Sequence, residues 1–279
     1  MSYRVVMDSC GELTEGMKKS GNFVTASLIL QVDEYTIVDD ESFDQADFLA
    51  KIAASPNCPK SSCPSPEAYR EAYDCGADHV FAVTLSSELS GSYNSAMLGR
   101  NLYLEDHPEA KVYVFNSRSA SVGQTLIGLK IQECENAGMD FESVVETVES
   151  YIAGQDTWFV LENLETLRKN GRLSTVKALV ATALKIKPIM GSTDEGTIVQ
   201  LGQARGINRA IVQMVEIIAE KVENAEEKVL GIANCNCRER ALMVKEALQK
   251  QIKFKDVVIV DTAGVSSMYA NDGGIIVVA

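Results

Sequence analysis

The stretch HVFAVTLSSELSGSYNSA, residues 79–96, joins an apolar run to a segment with five serines and one glycine. HVFAVT is short, β-branched and uncharged after its first residue, which is typical of a strand buried on both faces. One serine after a strand is explained by helix capping. Five small hydroxyl side chains also suit a polar ligand. The stretch therefore predicts a buried strand, a turn and a helix, and it raises the question of a binding site at the turn.

The same strand-then-helix pattern repeats along the chain of 279 residues. Amphipathic stretches separate the apolar runs, and this alternation predicts an α/β protein with parallel sheets. The predicted strands are YRVVM, FVTASLIL, HVFAVT, KVYVF, TWFVL, IKPIM, TIVQL, VLGIA, DVVIV and GIIVV.

Charge divides the chain into two parts. Residues 1–150 contain 10 Lys and Arg against 24 Asp and Glu, whereas residues 151–279 contain 16 against 15. Together with the loop at residues 154–156, this step predicts an N-terminal α/β lobe over residues 1–155 and a C-terminal α/β lobe over residues 156–279. The proline-rich segment at residues 55–66 is predicted to be an ordered loop or a linker, because proline disfavours helix interiors and central strands.

The bulk composition excludes several classes of protein. A net charge of −13 disfavours nucleic-acid binding. No apolar run is long enough for a membrane span, and the N-terminus lacks the features of a secretion signal, so we expect a cytoplasmic protein. The seven scattered cysteines predict free thiols. Only Cys235 and Cys237 are closely spaced, and we expect neither a metal nor a cofactor.

Three predicted strands of the first lobe end in small polar residues: Asp8-Ser9, Leu85-Ser86-Ser87 and Asn116-Ser117. The carboxyl ends of parallel strands line the crevice where ligands bind in open α/β sheets. Ser90-Gly91-Ser92 fits a ligand best, because Ser90 can cap the following helix and Gly91 lets a ligand approach the backbone. Ordinary capping at each junction remains the alternative interpretation.

The sequence lacks several known motifs, and their absence limits the reactions in which these serines could take part. It has no nucleophile-elbow, phosphate-loop or dinucleotide-binding motif. His79 lies at the start of its strand and His107 in a surface turn, so neither is placed to activate a serine. The serine hydroxyls are therefore predicted to bind a ligand and not to act as nucleophiles. Two alternatives remain: an enzyme with Asp8 as acid or base, acting on a small phosphorylated or carboxylated substrate, and a redox or metal module at Cys235 and Cys237.

Five motifs resemble the DegV family, and the resemblance covers essentially the whole chain. It implies a two-lobed α/β fold that holds one long-chain fatty acid, with a buried tail and the carboxylate at the lobe interface. It further implies a carrier that is not itself an enzyme and that presents the carboxylate to an ATP-dependent fatty acid kinase. The motifs are DSCGEL at 8–13, SSCPS at 61–65, SSELSGSYNSA at 86–96, LENLETLRKNGRL at 161–173 and LKIKPIM at 184–190.

The family's functional positions carry over as follows. The head-group hydroxyls would be Ser61 or Ser62, where the family's T-S-Q-P loop reads S-S-C-P, and Ser90, with Gly91 and Ser92 in the same motif. Tyr269 stands where the family has histidine, so a neutral phenol would replace an imidazole. Arg172 and Arg205 match basic positions associated with the phosphorylated head group or with docking of the kinase.

The resemblance places a tail-binding tunnel in the C-terminal lobe. Its candidate walls are the segment at residues 178–190, where Ala178, Ala181 and Ala183 would leave room, and the predicted helix around residues 207–218. Plain core packing is the alternative for each of these residues. Burial of a long hydrocarbon tail would supply most of the affinity.

Overall fold

The computed structural model describes residues 1–173 and 185–279. Their strands form three sheets. The strands are β1 Tyr3–Asp8, β2 Phe23–Ala26, β3 Ile29–Val32, β4 Tyr35–Val38, β5 Lys60–Ser62, β6 His79–Thr84, β7 Lys111–Asn116, β8 Thr157–Val160, β9 Ile186–Ser192, β10 Ile198–Arg205, β11 Val229–Asn234, β12 Asp256–Asp261 and β13 Ile275–Val278.

The helices cover the sheets. They are α1 Glu15–Ser20, α2 Gln45–Ala54, α3 Pro66–Tyr73, α4 Ser92–Asp106, α5 Val122–Asn136, α6 Phe141–Ala153, α7 Glu165–Lys169, α8 Ile207–Lys221, α9 Arg238–Gln249 and α10 Gly264–Ala270. No described helix is both long and apolar enough to cross a bilayer.

The first sheet has the strand order β2-β1-β6-β7, and its strands are all parallel. The run HVFAVT forms β6 in the interior of this sheet, and all six of its residues are buried. One face packs against α3 and α4 through Tyr69, Tyr73 and Ala96, and the other packs against α5 and α6 through Ile127 and Val148. This sheet confirms the predicted parallel α/β architecture of the N-terminal part.

The predicted strand FVTASLIL is two strands in two different sheets. Its first half is β2, which pairs in parallel with β1, and its second half is β3, which pairs antiparallel with β4 and β5. The chain turns at Ser27-Leu28, where the Ser9 hydroxyl accepts the N–H of Leu28 at 3.0 Å. The run carried no clear sign of this break, because its two polar residues, Thr25 and Ser27, are small and scattered among apolar ones.

The proline-rich segment contains an additional strand, β5, which the sequence did not predict. β5 is an edge strand of the three-stranded sheet β4-β3-β5, with Pro59 and Pro64 on either side. Proline has no N–H to donate to a sheet, so an edge position is the one available here.

The second sheet has the order β10-β9-β8-β13-β11-β12 and is mixed, because only β11 and β12 pair in parallel. Helices α8 and α9 cover its outer face, where Met214 and Val244 pack on Trp158 and Ile232. Helix α5 packs on its inner face. We call residues 1–155 the first lobe and residues 156–279 the second lobe.

Candidate functional site

A cavity lies between the first and second sheets, at the interface of the two lobes. It contains about 750 Å³ of space free of protein atoms, part of which opens to solvent. The surface that faces this interlobe cavity is mostly apolar. Its apolar wall includes Leu85, Leu89, Phe159, Leu161, Ile198 and Ile276.

Strand β8 supplies one wall of the cavity through the alternation of its side chains. Trp158 and Val160 point to the outer face and join the core under α8 and α9, whereas Phe159 and the following Leu161 point inward. Successive residues of a strand face opposite sides of its sheet, so a uniformly apolar run can serve a core and a cavity together. The sequence run TWFVL gave no sign of this division.

The polar ends of the first-sheet strands lie beside residues of the cavity wall, namely Cys10, Leu85 and Ser119, but most of their hydroxyls hold the protein together. The Ser86 hydroxyl donates to the carbonyl of Gly196 at 2.9 Å, and the Ser119 hydroxyl pairs with that of Thr157 at 2.7 Å. Both contacts join the first lobe to the second. The serine-rich ends of the strands therefore form part of the seam between the lobes.

Asp8 is a buried centre of hydrogen bonding in the first lobe. Its carboxylate accepts four hydrogen bonds: from the N–H of Cys10 at 3.2 Å, the N–H of Leu85 at 2.8 Å, the Gln124 amide at 2.8 Å and the Ser92 hydroxyl at 2.6 Å. Burial raises the pKa of Asp8, and these hydrogen bonds oppose the rise. An acid or base needs a lone pair directed at a substrate, and all four directions here are occupied by the protein.

One end of the cavity carries the polar groups that suit an anionic head group. Tyr269 and Arg172 both line the cavity there, and Arg172 Nε donates to the carbonyl of Leu89 at 3.1 Å. Burial raises the pKa of the Tyr269 phenol, and the nearby side chains of Ser61 and Arg172 oppose the rise. Ser90 follows Leu89 directly along the chain. We call Arg172, Tyr269 and the adjacent Ser61 the polar end of the cavity.

If Ser90 were the N-cap, helix α4 would begin at Gly91, but it begins one residue later, at Ser92. Gly91 is its N-cap, and no side chain caps the helix. The Ser90 hydroxyl instead accepts the N–H of Ser92 at 3.2 Å. Gly91 is exposed beside the S-S-C-P loop: a Cβ atom on it would lie 3.4 Å from the sulfur of Cys63.

Of the eight predicted site residues, Arg172 and Tyr269 line the cavity, and the other six do not. Ser62 is exposed on β5, next to the half-buried Ser61. Ser92 is fully buried, and its hydroxyl is shared between Asp8 and the phenol of Tyr69 at 2.7 Å. Arg205 is exposed at the end of the edge strand β10. The structure thus groups Ser61, Arg172 and Tyr269, and it separates Ser62, Ser92 and Arg205 from them. Ser90 adjoins this group only through Leu89, whose carbonyl accepts from Arg172.

Arg172 was predicted to serve the phosphorylated head group or docking of the kinase, and its side chain forms part of the cavity wall. The predicted tail wall at residues 207–218 needs correction. This segment lies in α8, which packs on the outer face of the second sheet, and the cavity lies on the inner face. Of the other candidate wall, Ala178, Ala181 and Ala183 lie outside the described residues.

The cysteine pair and His79 have ordinary structural roles. Cys235 is buried, and Cys237 is the N-cap residue of α9. Among the described residues, no group of three or more His, Cys, Asp or Glu side chains is arranged to hold a metal ion. His79 and Glu135 are both buried and form a contact of 2.7 Å between Nδ1 and Oε1, far from the cavity wall.

Helix α10 brings second-lobe residues to the cavity, and its first turn contacts buried carboxylates of the first lobe. Asp39 accepts the N–H groups of Gly264 at 2.7 Å and of Val265 at 2.8 Å. Glu12 accepts the Ser121 hydroxyl at 2.9 and 3.0 Å and the N–H of Ala263 at 3.4 Å. Burial raises the pKa of Glu12 to about 7.

A family model described as an uncharacterised protein of the DegV family matches residues 2–279. The chain belongs to the DegV family. Among curated relatives of this DegV protein is a DegV domain-containing protein of Streptococcus pneumoniae, which is 32% identical over 278 residues and aligns with 99% of this chain and 98% of its own. The predicted family is thereby confirmed.

Solved DegV structures match this DegV protein over its whole length. A DegV family protein from Ruminococcus gnavus, refined with vaccenic acid, is 57% identical with a TM-score of 0.98, and all of both chains is covered. The Fatty Acid Kinase (Fak) B3 protein of Streptococcus pneumoniae, loaded with linoleic acid, is 31% identical with a TM-score of 0.89 and coverage of 100% and 99%. The predicted α/β fold of the DegV family is confirmed.

Sequence reasoning on this DegV protein missed most of the cavity wall. Phe159, Leu161 and Ile276 come from strands that read as ordinary core, and Cys10 and Ser266 lie in loops or short helices. A usable signal existed for the residues that lie inside the quoted motifs: Leu89 in SSELSGSYNSA, Leu161 in LENLETLRKNGRL, and Cys10 and Glu12 in DSCGEL. Asp39 had none, since an acidic residue in an acidic lobe looks like surface charge.

Proposed function

We propose that this DegV protein binds one long-chain fatty acid in the interlobe cavity, with the tail along the apolar wall and the carboxylate at the polar end. The observation that carries the proposal is a mostly apolar cavity with a guanidinium and a phenol at one end. An apolar body with few convergent polar groups is the general form of a site for an amphipathic ligand. The R. gnavus and S. pneumoniae relatives contain bound fatty acids.

The energetics of lipid binding favour different roles for the apolar wall and the polar end of the cavity. Burying the tail contributes about 0.8 kcal/mol per methylene, on the order of 12 kcal/mol for a sixteen-carbon chain. Association costs roughly 4 kcal/mol or more. The apolar wall therefore supplies the affinity. The polar end prevents the buried carboxylate from being unpaired, which would be costly.

The orientation of the ligand follows from the two arginines among the described wall residues. Arg172 lies beside the Tyr269 phenol and the Ser61 side chain, so a carboxylate there meets a cation and two hydroxyl groups. Arg118 lies instead near the exposed carboxylate of Glu195, whose pKa is lowered chiefly by a hydrogen bond from the Thr193 side chain and less by the Arg118 guanidinium. The carboxylate is therefore assigned to the Arg172 end.

The fatty acid is a cargo and not a substrate of this chain. Asp8, the candidate acid or base, has its carboxylate fully occupied by four protein donors. The carrier presents the fatty acid carboxylate to an ATP-dependent fatty acid kinase, which phosphorylates it. Arg205, exposed on the edge strand β10, is a docking residue for that partner.

The test of ligand binding is denaturing extraction of the purified protein followed by mass spectrometry of the released lipid. We expect close to one fatty acid per chain, and a delipidated sample should take up added fatty acid with the same stoichiometry. A lipid-free protein that refuses added fatty acids would overturn the proposal and favour an enzyme acting on a small carboxylated or phosphorylated substrate.

The test of the carrier role uses Arg205→Ala with Arg209→Ala as a control, because both arginines are exposed and only four residues apart. Arg205→Ala should leave fatty-acid affinity unchanged and slow formation of acyl phosphate by an added fatty acid kinase. Arg209→Ala should do neither. Equal rates of phosphorylation for the two variants would remove Arg205 from the docking surface.

A further inference from the structure

Helix α10 belongs to the second lobe by sequence but is anchored in the first. Four of its residues form part of the cavity wall: Val265, Ser266, Tyr269 and Ala270. Its position therefore determines where the Tyr269 phenol stands relative to a ligand. The residues that hold its first turn lie in the first lobe, far from Tyr269 in sequence.

Asp39 makes the closest of these contacts. It is 2% exposed, and its two carboxylate oxygens each accept one backbone N–H, from Gly264 and from Val265. A Cβ atom on Gly264 would lie 2.5 Å from Asp39 Oδ1, so glycine is needed for this approach. A carboxylate with both oxygens paired in this way fixes the direction as well as the position of the helix start.

Other first-lobe groups support the same turn without reaching Tyr269. The Gln45 amide donates to the Thr262 carbonyl at 2.8 Å and to the Ser267 hydroxyl at 3.1 Å. The Ser266 hydroxyl donates to the carbonyl of Cys10 at 3.1 Å. Among the described residues, Asp39 is the group that holds the two N–H groups directly at the start of α10.

We propose that Asp39 is a positioning residue of the head-group site, which acts through α10 to place the Tyr269 phenol against the carboxylate of the bound fatty acid. This inference rests on the proposed function. Asp39 itself does not line the interlobe cavity, so it acts through the helix and not by contact with the ligand.

The test is a double-mutant cycle with Asp39→Asn and Tyr269→Phe, using oleic acid and methyl oleate as ligands. Asparagine keeps the shape of aspartate but presents an NH₂ group to one of the two N–H donors. Asp39→Asn should weaken oleic acid binding by about tenfold, as expected when hydrogen bonds to a charged group are lost. In the Tyr269→Phe background the same change should cost less than about twofold, because the phenol that Asp39 positions is already absent.

The methyl ester separates positioning from general damage. It lacks the charged head group, so Asp39→Asn should weaken its binding much less than that of the acid. Gly264→Ala, which keeps the Asp39 charge but blocks its approach, should reproduce the loss. Asp140→Asn is the control, since Asp140 also accepts a backbone N–H at a helix start, from Ser143 at 2.9 Å, on the exposed surface.

Circular dichroism and thermal unfolding establish which variants are folded at the assay temperature. If Asp39→Asn is not folded there, Gly264→Ala provides the second measurement. Additive effects of Asp39→Asn and Tyr269→Phe, or equal losses for acid and ester, would overturn the positioning role. Failure of the wild type to bind oleic acid would instead overturn the proposed function, so the two failures are distinguishable.

Discussion

At the scale of single residues, neighbours in sequence have different roles because the backbone separates them. Ser61 lies beside the Tyr269 phenol, whereas Ser62 points to solvent from the next position of β5. Ser90 and Ser92 differ in the same way, since Ser92 is committed to Asp8. A serine-rich motif therefore locates a site, but it does not say which hydroxyl faces the ligand.

The pair Ser61 and Ser62 offers a matched test of the polar end. Ser61→Ala should weaken fatty-acid binding by about threefold to tenfold, because a ligand carboxylate or its phenol partner loses a donor. Ser62→Ala should leave the affinity unchanged. Isothermal titration with a delipidated sample measures both. Equal losses in the two variants would contradict the assignment of Ser61.

The raised pKa of Glu12 predicts that the stability of the protein depends on pH. Burial raises this pKa from 4.5 to about 7, so the folded protein holds this proton more tightly than the unfolded chain. The stabilisation is fully present below about pH 4.5 and is lost as the pH rises through 7, by at most about 3 kcal/mol. Glu12→Gln removes this contribution. Its free energy of unfolding should therefore decline less than that of the wild type between pH 5.5 and pH 8.

Urea unfolding of both proteins at the two pH values measures the difference. The side chains that face Glu12 are those of Ser121 and Ser266, with the carboxylate of Asp8 and the thiol of Cys10 nearby. Parallel stability curves for the wild type and Glu12→Gln would show that another group governs this range.

At the scale of elements, boundaries and faces limited what the sequence could predict. β6 coincides with HVFAVT because strong β propensity and burial on both faces act together there. The prediction of a single strand at FVTASLIL was wrong, because tertiary pairing divides this largely apolar run between two sheets. The tail wall was placed on α8 for a related reason: amphipathicity shows that a helix has a buried face, but not which side of the sheet it covers.

Strand β8 provides the prediction at this scale. Trp158→Ala removes a side chain from the outer core and should lower the free energy of unfolding by about 3–5 kcal/mol, with little effect on the affinity of the folded protein for fatty acid. Phe159→Ala should cost less stability and should weaken fatty-acid binding several-fold, because the tail loses contact with the ring. Urea unfolding and titration measure the two effects, and a reversed pattern would place the ligand on the other face of the sheet.

At the scale of the whole molecule, the family, the α/β fold class and the parallel sheet that precedes the serine motif could be inferred from the sequence. The interlobe cavity could not, because it is formed by side chains from β8, β10, β13 and α10 that are distant in sequence. Periodicity describes each element separately. The lobe boundary near residue 155 remains a prediction that limited proteolysis can address.

Ligand binding should stabilise the entire molecule. Because the fatty acid contacts both lobes, binding at a hundredfold excess over Kd should add about 2.7 kcal/mol to the free energy of unfolding. For a chain of this length, this corresponds to a rise in Tm of roughly 5 °C or more. Differential scanning calorimetry of delipidated protein with and without oleic acid provides the measurement. A Tm indifferent to oleic acid but shifted by a small phosphorylated compound would favour the enzyme alternative.

The hydroxyl bridges Ser86–Gly196 and Ser119–Thr157 have a consequence for how a lipid enters and leaves. Thr157 begins β8 and Leu161 directly follows its last residue, about 13 Å further along the chain, and the bridges fasten the Thr157 side. Under the proposed function, a lipid would then exchange at the end of the cavity that Arg172 lines, with its methyl terminus entering first. The acid group would stay outermost throughout loading, which is the orientation that the proposed kinase partner requires.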